Sequence, residues 1–119
     1  MAKCDEGYLC GVCGQDVASI TDSDLYLRYV TGLIDPELLH VTAERHVRCN
    51  PLLAQFIVDS DFDPVVVKGE FGKQHLDAEY VAAREQLITR GWHRLKQILD
   101  LGEVSILEFP LPEVRQRMS

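Results

Sequence analysis

Cysteines stand at positions 4, 10, 13 and 49, and the spacing around the last three spells a metal site: Cys10-Gly11-Val12-Cys13 is a C-x2-C pair and His46-Val47-Arg48-Cys49 an H-x2-C pair. Zinc takes four donors of this kind, thiolate sulfur or imidazole nitrogen, in a tetrahedron at about 2.0–2.3 Å. A C-x2-C pair reaches one ion from a tight turn, and His46 and Cys49, three apart, share one face of a helical turn. Gly14 follows the second thiolate and is able to take positive φ, which lets main-chain N–H groups turn toward the sulfurs and stabilise their charge. Cys10, Cys13, His46 and Cys49 are therefore the expected zinc ligands. Cys4 and His40 are the substitutes: Cys4 is a third N-terminal thiol and His40 lies six residues before His46.

A knuckle supplying two ligands and a helix start supplying two more resembles treble-clef and LIM-type zinc fingers, over about residues 8–58. The resemblance implies a metal that replaces part of a hydrophobic core, and a module that docks proteins or nucleic acid. Other chemistries fit less well. A redox C-x2-C sits at a helix start after a buried strand, and only nine residues precede Cys10. The H-x-E of zinc deaminases and the H-E-x-x-H of zincins are absent. Asp59, Asp61, Asp63 and Glu70 fall at four positions of a calcium loop, but Pro64 stands where that loop needs glycine. With four protein donors, the expectation is a structural metal in a non-enzymatic protein-interaction module. The alternative is a metal-dependent hydrolase, which needs one coordination position left to water.

Charge narrows the partners. Twelve Lys and Arg against 19 Asp and Glu give −7, a poor match to phosphate backbones, so nucleic acid is disfavoured. Arg28, Arg45 and Arg48 are the candidate surface for an acidic segment of a protein partner. No apolar run approaches the roughly 18 residues of a spanning helix, and no secretory h-region stands at the start, so the expected location is the cytoplasm, where clustered thiols favour metal over disulfides.

The elements that must position these donors read as one α+β domain of 119 residues. Its zinc-binding half is 1–58, a strand and long helix occupy 59–109, and 110–119 is a flexible tail. Residues 22–34 fit either a strand or a helix capped by Asp22 or Ser23. Asn50-Pro51 predicts a cap and first-turn proline for a short helix over 51–58. PVVVKGEF from Pro64 and VSILEF from Val104 read as strands of a small sheet. Asp77 caps the clearest element, an amphipathic helix to about Leu99, with Leu76 and Val81 placed as a hydrophobic staple and Trp92 on its buried face.

Overall fold

Asp77 starts the longest element in the computed structural model, which describes residues 9–39 and 41–118. Its carboxylate accepts from the amide of Tyr80 at 3.0 Å, satisfying one of the unpaired donors at a helix start. The helices are α1 (Asp24–Val30), α2 (Pro51–Ala54), α3 (Ala78–Leu101) and α4 (Pro112–Met118), joined by 3-10 turns and loops. Ile88, Gly91, Trp92, Leu95 and Ile98 form the buried stripe of α3, stepping by three and four as an amphipathic helix requires. Leu76 and Val81 pack half-buried against the core, whereas Tyr80 and Leu99, which helical spacing alone would put on the stripe, are exposed.

Residues 24–30 are helix. Ser23 caps α1 by accepting from Tyr26 N at 3.0 Å, and every residue of α1 except Arg28 is buried. The helix lies against α3 where Gly91 leaves no side chain; a Cβ there would meet Thr31 Cγ2 at 2.4 Å and Leu27 Cδ1 at 3.2 Å. Around this crossing Leu27, Val30, Ile88 and Leu95 are fully buried. Trp92 joins them, with its ring edge-on to Phe62 at 5.3 Å and its Nε1 donating to Thr21 O at 3.1 Å.

The expected α+β class with a small sheet is overturned: the described residues contain helices and no strand. Three isolated bridges, Leu9 with Asp16, Ser23 with His46 and Asp59 with Phe62, are all the β pairing they show. The physical reason is that a strand needs a neighbour. Val65 and Val67 are half-buried while Val66 and Lys68 are exposed, the alternation of a strand, but no other segment among the described residues pairs with them. In the VSILEF stretch, Ile106–Glu108 is a 3-10 turn, held where Tyr29 Oη donates to Ile106 O at 2.8 Å.

Two further expectations are corrected. The helix over 51–58 ends at Ala54, and the Asn50 side chain makes no cap. The segment 110–119 holds α4, which is no loose tail: Leu111 N donates to Val30 O at 3.0 Å, Leu111 and Val114 are buried, and Arg90 grips Glu113 with both guanidinium nitrogens at 2.6 and 3.0 Å.

Candidate metal centre

A tight turn brings the first two donors together. Gly14 has φ +77°, a conformation that glycine adopts without steric cost, and Gly14 N donates to Cys10 O at 2.9 Å while Cys10 N donates to Gln15 O at 2.8 Å. The second pair comes from a 3-10 turn, Val47–Cys49, with His46 in the preceding extended position. Both late ligands therefore stand ahead of Pro51 rather than on α2. Gly11 N donates to Glu44 O at 2.9 Å and fastens the knuckle to the segment that carries His46.

The ligand atoms of Cys10, Cys13, His46 and Cys49 all lie within 4.8 Å of one another, a Cys3His cluster that can hold a metal ion. Tetrahedral bonds of about 2.3 Å to sulfur and 2.0 Å to nitrogen separate neighbouring donors by about 3.5–3.8 Å. The Nδ1 of His46 is 3.3 Å from Cys13 Sγ and 3.9 Å from Cys49 Sγ, on either side of that range. Its Nε2 lies 2.9 Å from the carbonyl oxygen of Asp16, which only accepts, so Nε2 carries the proton and neutral His46 presents the Nδ1 lone pair to the sulfurs. An outer hydrogen bond of this kind fixes the tautomer of a metal-bound histidine.

The electrostatics suit a cation. Burial opposes ionisation of Cys10, but the amides of Cys13, His46 and Val12, aided by the Cys49 side chain, outweigh it and bring the thiol down to about 5. Two of those amides, Val12 N and His46 N, lie 3.4 and 3.3 Å from Cys10 Sγ. Burial, followed by the Cys10 and Cys13 sulfurs, pushes Cys49 up to about 11. Burial depresses His46, yet the Asp16 carbonyl and the Cys10 and Cys13 sulfurs raise it on balance. One sulfur takes its charge readily and the next resists it; a divalent ion held by the four donors would offset that repulsion and favour the thiolate forms.

The H-x2-C segment is docked on the start of α1 by two buried acids that the sequence reading did not single out. Asp24 is wholly buried and accepts from Arg28 Nε at 2.9 Å, Arg45 Nε at 2.7 Å and Asn50 Nδ2 at 2.8 Å. Its amide also donates to Arg45 O at 2.9 Å. Arg45 and Asn50 flank His46 and Cys49, so one carboxylate holds both ends of the ligand pair. Glu44 Oε1 accepts from Ser23 Oγ at 2.8 Å and Arg45 N at 3.1 Å. Burial raises Glu44, against the lowering effect of the bonds from Ser23, Arg45 and Leu25. In sequence Asp24 looks like any acid in a first helical turn, and Asp16 acts through its main chain, which no residue type announces.

Of the expected arginine surface, Arg28 and Arg45 converge on Asp24 rather than facing outward together. Arg48 stands apart, its guanidinium 4.1 Å from the centroid of the Phe62 ring and donating to Asp63 O at 3.1 Å. The acids at the calcium-loop spacing are taken up differently: Asp59 pairs with His93 and Asp61 with Lys96. Cys4 and His40, the substitute ligands, lie outside the described residues. No helix among the described residues is long and apolar enough to cross a membrane. The chain matches no protein-family model, no curated protein and no solved structure.

Proposed function

We propose that Cys10, Cys13, His46 and Cys49 bind one zinc ion whose role is structural, in a protein-interaction module without catalytic activity. The observation that carries this reading is the convergence of three sulfurs and one imidazole nitrogen within 4.8 Å, with the far nitrogen of His46 already engaged by Asp16. Three thiolates and one imidazole are the donor set of closed zinc sites, and four protein donors leave no position for the water that a hydrolase would activate. Docking is favoured over catalysis because the cluster joins the knuckle to the start of α1, whereas the cavity beside Ile57 and Phe62 is lined by none of the four donors.

Zinc content of the reduced protein tests the reading, with about one equivalent expected. Structural zinc in finger peptides contributes about 10–16 kcal/mol, comparable with the 5–15 kcal/mol stability of a whole domain. Cys13→Ser should therefore lose the metal and unfold the segment around it. Cys4→Ser should keep both, because the four donors are complete without it. Equal loss in the two variants would place Cys4 in the coordination sphere. Absence of any transition metal from the wild-type protein, together with a Cys13→Ser variant as stable as wild type, would overturn the proposal.

A further inference from the structure

The tight turn at Asp59 and Phe62 begins like a hairpin and then fails to close. Phe62 N donates to Asp59 O at 3.2 Å, but beyond this contact the two arms, 57–59 and 62–67, share no hydrogen bond. A cavity of about 430 Å³ is lined by both arms, through Ile57, Val58, Phe62, Val65 and Val66, with Gln55 and Lys73 also in its wall. Two local facts remove donors that could bridge the gap. Pro64 has no N–H to offer across the gap. Gln55 is buried and spends its side chain elsewhere than across the gap, donating to Leu52 O and Phe71 O and accepting from Lys73 N at 2.8 Å.

What the arms leave unpaired is main chain. Among the described residues, the amides of Val65, Val66, Val67 and Lys68 have no acceptor, and the carbonyls of Ile57, Val58, Val65 and Val66 have no donor. Val58 and Val66 are 56% and 74% exposed beside them. Main-chain groups of this kind next to an apolar cavity are the two halves of extended-peptide recognition, in which hydrogen bonds supply affinity and a pocket for alternate side chains supplies selectivity. The chain segment that carries one arm adds charge. Residues 59–70 hold four acids and one lysine; Asp59 and Asp61 are paired, whereas the Asp63 and Glu70 carboxylates have no partner among the described residues. We propose that this groove binds an extended peptide segment that places one apolar side chain in the cavity and a lysine or arginine against Asp63 or Glu70. The site is separate from the metal centre, and it gives the interaction role proposed above a surface and a ligand class.

A phage-displayed library of random heptapeptides, selected against the zinc-loaded full chain, tests it. The expected winners carry an apolar centre beside Lys or Arg and shift the amide resonances of 57–60 and 64–67. Successive amides of an extended chain point in opposite directions, so of Val66→Pro and Val67→Pro one should lose about tenfold in affinity, as for a lost main-chain bond, and the other little. N-methylating the winning peptide one residue at a time gives the same test without touching the protein, with losses expected at alternate positions. Selection that enriches no peptide, shifts elsewhere on the chain, or indifference to N-methylation throughout would overturn the proposal. Dimerisation abolished by either proline would do so too, by putting a second copy in the groove. Zinc content is measured on the same samples: a zinc-loaded protein that binds no peptide overturns the groove alone, and a metal-free one that still binds overturns the metal reading alone.

Discussion

Asp24 shows how a single carboxylate can organise a site from which it is absent as a ligand. It is wholly buried, and it holds Arg45 and Asn50 on the two sides of the His46–Cys49 pair. Removing one member of a buried charge pair costs about 3–5 kcal/mol because the partners are left uncompensated, whereas an exposed i,i+4 pair is worth about 0.3–0.5 kcal/mol. Asp24→Ala should therefore fall near the lower end of the first range, since its arginines are partly exposed, and Arg28→Ala should cost clearly less, because Arg45 and Asn50 still satisfy the buried carboxylate. Urea unfolding of the two variants makes the comparison; equal effects would reduce Asp24 to an ordinary helix-start acid. The four clustered side chains were legible in the sequence because thiol and imidazole spacing constrains geometry directly. Asp24 was not, because its importance arises from residues 21 and 26 positions away that only folding brings near.

At the scale of elements, α3 was readable from Asp77 and the periodic stripe, since both signals are local. The strands misread from Val-rich stretches and the missed α4 are failures of the opposite kind. Pairing partners and the docking of Leu111 onto Val30 are long-range facts that composition does not carry. Gly91 belongs with them: in an isolated helix alanine is better than glycine by about 1 kcal/mol, but here a Cβ would strike Thr31 Cγ2 at 2.4 Å. Gly91→Ala should destabilise by about 1–3 kcal/mol, the cost of overpacking, and Thr31→Ser should recover part of it by removing that methyl while keeping the hydroxyl that bonds Leu27 O. A double-mutant cycle in denaturant reads the coupling; strictly additive effects would mean that the two helices do not meet there.

The grip of α3 on α4 has a pH signature. Hydrogen bonding to Arg90, ahead of every other influence, lowers Glu113 from an ordinary 4.5 to about 2. A depressed carboxyl favours the fold above its unfolded value, and that contribution fades as pH falls from about 4.5 toward 2. The pair is half exposed, so its effect on stability is small and the titration is the clearer measurement. The Glu113 side-chain carbon resonance should titrate well below the ordinary glutamate value of 4.5, and Arg90→Ala should return it toward that value. An ordinary midpoint in the wild type would mean that the pair does not form in solution.

Across the whole molecule, the metal centre and the groove are joined by one residue. Arg48 precedes Cys49, and its guanidinium covers Phe62 and holds Asp63 O, so it reaches from the ligand turn to the wall of the cavity. Phe62 in turn meets Trp92, the one tryptophan of the chain, edge to face on the core side. If zinc and peptide bind where proposed, any coupling carried through Arg48 is reciprocal: whatever factor zinc lends to peptide affinity, peptide must lend to zinc. A captured peptide should then slow the loss of zinc to a chelator, and Arg48→Ala should abolish that protection while leaving each ligand able to bind alone. Protection that survives Arg48→Ala would route the coupling elsewhere. Because Trp92 abuts the shared wall, its emission should report either event without a label, so the chain carries its own gauge of the traffic between its two sites.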